Sequence, residues 1–184
     1  MELVDALAGA RIGETYNQYA GSELCRERLR DYLEARQQAE VVLVGEAAGY
    51  RGARISGIPF TSERQLTGTG PAEASATIVH RVLAGLGLEE SVLLWNVVPT
   101  HPGTASSNRR PTRAEIRAAR PFLDAVIAGR RAIAVGRVAA AELDGPSVRH
   151  PSHGGAGAFA RGLEALLFRY TPASADALSA HFSV

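Results

Sequence analysis

The sequence predicts a three-layer α/β/α sandwich around a four-stranded parallel sheet. Three observations carry this. After a helical N-terminal segment, a strand signal followed by a helical pattern occurs four times. Helical crossovers set neighbouring strands parallel, which gives an open α/β sheet. Three of the four strands place their unusual residues just beyond their carboxyl ends, the edge at which such sheets hold ligands.

In chain order, residues 1–40 read as helical. Leu24, Leu29, Leu33 and Ala35 lie close to helical spacing after a Gly21-Ser22 start, with Glu and Arg on the other face. The first strand opens at Val41 and breaks at Gly45. A long loop follows to Gly68, with glycines at 45, 49, 52 and 57 and with Glu46, Tyr50, Pro59 and Phe60. Strand-to-helix connections usually run about 2–6 residues, and much longer ones tend to be functional. Gly70-Pro71 signals the next helix, with Ile78, Val82, Leu83 and Leu86 at helical spacing up to Gly87; His80 inside it reads as a packing or surface residue. SVLLWNVV (residues 91–98) is the second strand, ending at Asn96, and the loop PTHPGTASSNRR follows. Thr112 and Glu115 have capping-box spacing for the third helix. Ala132 to Val135 is the third strand, stopped at Gly136, and Arg137 to Leu143 a short helix. Ser147 to Arg149 forms the fourth strand, before HPSHGGAGAF and a helix through about Tyr170; a tail with a short helix begins at Thr171.

The 184 residues are expected to form one domain: a helical segment 1–40, a core 41–170 and a tail 171–184. With a net charge of +1, no charged-then-apolar leader and no run long enough for a bilayer, a monomeric cytoplasmic protein is expected. Cys25 is alone, so the chain has no intrachain disulfide and no cysteine cluster; no metal or cofactor is expected. All 20 basic residues are Arg. Without lysine, neither a side-chain Schiff base nor a lysine-bearing P-loop can form.

The strand ends offer a carboxylate (Glu46), an aromatic face (Phe60), an amide (Asn96), an imidazole (His150) and several loop amides. An amide donates and accepts at once, which suits the pairing edge of a pyrimidine. A phenyl ring stacks on a base, and an imidazole donates to an oxygen on which charge develops. Serines, glycines and arginines around them suit phosphate. Taken singly, Asn96 reads equally as a strand cap and Phe60 as core, and Glu46 is uninformative.

The segments GEAAG and GIPF, LLWNVVPTHPG with NRRPTRAEI, and RHPSHGGAGAF form three ordered blocks between Val41 and Phe159. Together they resemble the uracil-DNA glycosylase superfamily, closest to its thermophile-type branch. The resemblance implies the same α/β sandwich and uracil-containing single- or double-stranded DNA as partner. Phe60 would stack on a flipped uracil, Asn96 would read its edge, and His150 would stabilise charge growing on O2. Glu46 and the backbone at Ala47 and Gly49 would hold the base or the attacking water. Ser62, Arg109, Arg110, Ser152, His153 and Gly154 would meet the DNA backbone.

The departures are specific. Ala47 stands where many members carry a water-positioning Asp or Asn, and the next carboxylate after the motif is Glu63. Ala48 replaces the motif proline, and the branch's four cluster cysteines are missing. His153-Gly154-Gly155 replaces the leucine wedge of the best-known branch, and Gly49 replaces its thymine-excluding tyrosine. Two functions are therefore weighed: a monofunctional uracil-DNA glycosylase acting in base excision repair, and a non-catalytic binder of uracil, damaged DNA or nucleotides through the same pocket. The retained His150, Asn96 and Phe60 favour the enzyme; Ala47 favours the binder. Arg109 and Arg110 replace the histidine-bearing insertion of a cross-linking branch, and His101, between Thr100 and Pro102, reads as part of a turn.

Overall fold

The computed structural model describes residues 2–168, so the tail expected from Thr171 and the expected last turn of the final helix lie outside the described residues. The expected N-terminal helical segment is three helices: α1 (Glu2–Gly9), α2 (Gln18–Gly21) and α3 (Glu23–Ala35). Asn17 starts α2, its side-chain oxygen accepting from Tyr19 and Ala20 N–H while its amide donates to the carbonyls of Leu7 and Ala10. Ser22 caps α3 by accepting from Cys25 N–H. The buried stripe of α3 is Cys25, Leu29 and Tyr32, at i, i+4 and i+7; Leu24 is 52 % exposed, so it does not belong to the core face.

Strand β1 (Val41–Ala47) continues through Gly45 rather than breaking there. The glycine-rich loop contains two short helices, α4 (Ala53–Ser56) and α5 (Glu63–Thr67). Helix α6 (Ala74–Gly85) starts after Glu73, three residues beyond the Gly70-Pro71 signal, because Gly70 is left-handed (φ +81) and still part of the turn. Strand β2 (Val92–Val98) is fully buried and runs two residues past Asn96. The following loop carries an unexpected hairpin, β3 (Gly103–Thr104) with β4 (Ser107–Asn108). Helix α7 (Arg113–Ile127) opens on the expected Thr112/Glu115 capping box. Then come β5 (Arg131–Val135), α8 (Arg137–Glu142), β6 (Ser147–Val148) and α9 (Ala156–Phe168).

Strands β1, β2, β5 and β6 pair in the order β2-β1-β5-β6, all parallel. Continuous burial of Val42 to Val44, Val92 to Val98 and Ile133 to Val135 fits a sheet covered on both faces. The outer edge of β2 is covered too: Leu94 N–H donates to the buried Tyr32 hydroxyl at 2.7 Å. In this order the chain moves one way from β1 to β2 and the other way from β5 to β6. The crevice between diverging loops therefore opens at the carboxyl ends of β1 and β5. The expected α/β/α sandwich on a four-stranded parallel sheet is the observed fold.

Candidate active site

The register of the sheet builds the site's inner wall. Gly45 of β1 pairs with Asn96 of β2. A Cβ at Gly45 would overlap the Phe60 ring and lie 2.8 Å from Asn96 Oδ1, so glycine is required for these three to meet. Phe60 and Asn96 are 8 % and 3 % exposed. Phe60 holds φ +52 and His153 φ +51, the positive-φ non-glycine residues among those described. Both fall at the candidate site, where such strain tends to concentrate.

The exit of β1 is tied down from β2 and the hairpin. Ala48 N–H donates to the Val98 carbonyl at 3.3 Å, and Tyr50 N–H to Asn108 Oδ1 at 2.9 Å. The fully buried His101 bridges the Ala48 carbonyl (Nδ1, 2.8 Å) and the Thr104 carbonyl (Nε2, 2.8 Å). Carbonyls only accept, so both bonds form when both ring nitrogens carry hydrogen. His80, between Thr61 and Glu89, is a packing residue as expected.

Above this exit lies a cleft of about 260 Å³, smaller than the roughly 300–1,000 Å³ usual for drug-sized ligands. It gathers Glu46, Ala47 and Gly49 from the β1 exit, Arg109 from the loop before α7, and His150, Ser152 and His153 from beyond β6. Phe60 and Asn96 do not line it; they meet one residue earlier, at Gly45.

His150 is oriented by its own loop. Ser152 N–H donates to His150 Nδ1 at 3.2 Å, and Ser152 Oγ lies 2.8 Å from the same atom. An acceptor Nδ1 puts the ring hydrogen on Nε2, so His150 is a neutral donor. Burial, and then the neighbouring His153, hold its pKa below the ordinary histidine value, which keeps it neutral. Burial raises the Glu46 carboxyl, and the charge of Arg110 opposes that rise.

Two expected backbone contacts are engaged elsewhere. Ser62 is fully buried, and its N–H and hydroxyl both meet Gln65 Oε1 at 2.8 Å, capping α5; it has no surface to offer a phosphate. Arg109 forms a bidentate pair with Glu115 at 2.8 and 2.5 Å, which leaves Arg110 as the less committed of the two arginines. Gly154 (φ +73) turns the loop after His153 into open space. Glu63, the next carboxylate after the motif, is paired with Arg28 at 2.8 and 3.0 Å and is absent from the cleft lining.

The Arg109–Glu115 pair yields a stability prediction. Its Arg109 contacts first, and the Thr112 N–H, pull the Glu115 carboxyl down to about 2. A depressed carboxyl stabilises the fold fully above its ordinary value, and that contribution fades as pH falls from about 4.5 towards 2. Arg109 is 39 % exposed, so solvent screening limits the pair to roughly 1–2 kcal/mol. In urea denaturation, Arg109→Ala should be less stable than the parent by that amount at pH 7. The gap should close as pH approaches 2; a gap independent of pH would contradict the assignment.

Sequence reading did not assign five residues to the cleft: Ala48, Glu73, Ser75, Pro102 and Asn108. Glu73 and Ser75 lie more than 20 positions beyond Gly45 and Gly49, and only the folding back of the loop before α6 brings them in. Asn108 depends on the unforeseen hairpin. Among the described residues, no group of three or more His, Cys, Asp or Glu could hold a metal ion, and no helix is long and apolar enough to cross a membrane.

The site is a small cleft at the carboxyl edge of a parallel sheet, bordered by an HPS loop that orients an imidazole. The uracil DNA glycosylase superfamily model matches residues 32–177, and the chain belongs to that superfamily. The crystal structure of wild-type Pedobacter heparinus SMUG2 is similar in fold, with a TM-score of 0.63 and 13 % identity over 89 % of this chain and 97 % of that one. No curated protein matches the chain.

Proposed function

We propose that the protein is a monofunctional DNA glycosylase that flips uracil out of DNA and hydrolyses its N-glycosidic bond, leaving an abasic site. The observation that carries this reading is His150, held as a neutral Nε2–H donor in the same cleft as the β1 exit. In this reading His150 donates to uracil O2 as the C1′–N1 bond breaks, where a fixed donor meets developing charge. Phe60 stacks on the base, Asn96 reads its edge, and the backbone at Ala47 and Gly49 with Glu46 closes around it. Phe60 and Asn96 are nearly covered before a base enters. Arg110, Ser152, His153 and Gly154 face the strand's phosphates. The spelling GEAAG with GIPF supports a place beside the thermophile-type branch, without its cluster. Ala47, which brings no carboxylate to the motif, is the observation behind the second reading, a non-catalytic binder using the same pocket.

Incubation with a uracil-containing oligonucleotide followed by alkaline cleavage separates the two. The expected result is uracil release and strand scission only after alkali. Without lysine no side-chain imine forms, so the abasic strand should remain intact before alkali and borohydride should trap no adduct. Scission before alkali, or a trapped adduct, would contradict the hydrolytic mechanism.

A further inference from the structure

Resting on the glycosylase reading above, we propose that Glu73 is the general base that activates the attacking water, replacing the carboxylate that Ala47 removes from the motif. Glu73 stands at the N-cap of α6 in extended backbone (φ −111, ψ 125), and only its carbonyl serves the helix, accepting from Thr77 N–H at 3.0 Å. Its side chain makes no cap and turns instead into the β1 loop. There, a Cβ at either Gly49 or Gly52 would overlap the carboxylate. Two glycines of the long loop are thus the space this one carboxylate occupies, which accounts for the loop's composition better than turn geometry does. Neither Gly49 nor Gly52 has positive φ.

The surroundings distinguish Glu73 from Glu115, Glu63 and Glu46. Glu115 and Glu63 are each held by an arginine, and Glu46 feels Arg110. Glu73 is held by the Ser75 hydroxyl and by the charge of His101, whose two nitrogens are already spent on carbonyls. Burial therefore dominates and raises its carboxyl above the ordinary glutamate value, as suits a base. Glu73 lines the same cleft as His150, so the base and the leaving-group donor face one small space.

In the step assigned here, water oxygen bonds to C1′ as the C1′–N1 bond breaks. The bond's electron pair leaves with uracil, whose growing O2 charge meets His150. The water proton passes to the Glu73 carboxylate and from there to solvent.

The test is single-turnover uracil release by the parent, Glu73→Gln and Glu73→Ala, with DNA binding and Tm measured in parallel. Glu73→Gln should release uracil about 10²–10⁴-fold more slowly, the usual loss for a general base, with DNA binding kept. Its Tm should equal or exceed the parent's, because a half-buried charge is removed and the helix cap is backbone only. Added formate should restore part of the rate to Glu73→Ala, where the missing side chain leaves room; a merely structural role would give no rescue. An active parent with an equally fast Glu73→Gln, or slow variants that formate does not rescue, overturns the role of Glu73 alone. A parent that releases no uracil overturns the glycosylase reading and this assignment with it.

Discussion

Replacing His150 with alanine should lower the single-turnover rate of uracil release by about 10²–10³, while binding of uracil DNA changes little. The magnitude is the usual loss for one preorganised donor aimed at developing charge, about 2.7–4 kcal/mol of transition-state stabilisation. The donor is preorganised because Ser152 N–H, a backbone group fixed by the loop, occupies Nδ1 and leaves the hydrogen on Nε2. Protonation at Nδ1 would break that contact. The sign of the pH effect follows: the folded pKa is lowered by burial and by His153, so the unfolded chain takes up a proton first as pH falls below the ordinary histidine value. Folding stability contributed by His150 is thus full above about 6.5 and is lost as pH falls towards its lowered value. Rapid-quench kinetics and urea denaturation of parent and His150→Ala, between pH 5 and 8, check both. A variant that cleaves at the parental rate with unchanged binding would remove His150 from the mechanism.

What the sequence made legible was what local periodicity and spacing encode. Strands β1, β2 and β5 contain continuous apolar runs and all four strands fall within a few residues of their expected places, and the Thr112/Glu115 capping box marks the start of α7. From them followed the parallel sheet and the edge at which Glu46 and His150 converge. Errors arose where tertiary contacts override local signals. Leu24 fits a helical spacing but the core lies one residue on, at Cys25, because packing against α1 and α2 sets the rotation of α3. Gly45 looks like a strand breaker, yet it stays in β1 paired with Asn96 of β2, and Phe60 and Asn96 fill the place a side chain would need. Ser62 and Arg109 look like phosphate ligands by type and position, and their partners, Gln65 and Glu115, become visible only in the fold. Glu73 was invisible for the same reason: no spacing rule links a residue before α6 to glycines 49 and 52.

The β1 exit is tied down at several points, more firmly than its glycine-rich sequence suggests. Tyr50 is held by Asn108, Ala48 by Val98 and His101, and the hairpin itself by Arg109 N–H donating to the Pro102 carbonyl at 3.1 Å. Rigid support is what a site needs when its groups must sit within a fraction of an ångström of productive geometry.

His101 is where that support can be tested with a large effect. His101→Ala should destabilise the protein by about 1–3 kcal/mol for the buried Ala48 carbonyl that it leaves without a partner; the Thr104 carbonyl lies on an exposed residue and can turn to water. The loss falls on the β1 exit, so uracil release should slow as well, through misplacement rather than lost chemistry. The same geometry bears on turnover. A histidine attacks a sugar carbon through a nitrogen the sugar can reach, and both nitrogens of the fully buried His101 face main-chain oxygens at 2.8 Å. A denaturing gel of the parent after reaction with labelled uracil oligonucleotide should therefore show DNA free of protein. Urea denaturation of His101→Ala should show the midpoint falling with the slope kept. A variant as stable as the parent would show that neither carbonyl depended on the ring. A denaturation-resistant band in the parent that disappears in His101→Ala would show instead that the imidazole leaves its carbonyls and attacks the abasic sugar.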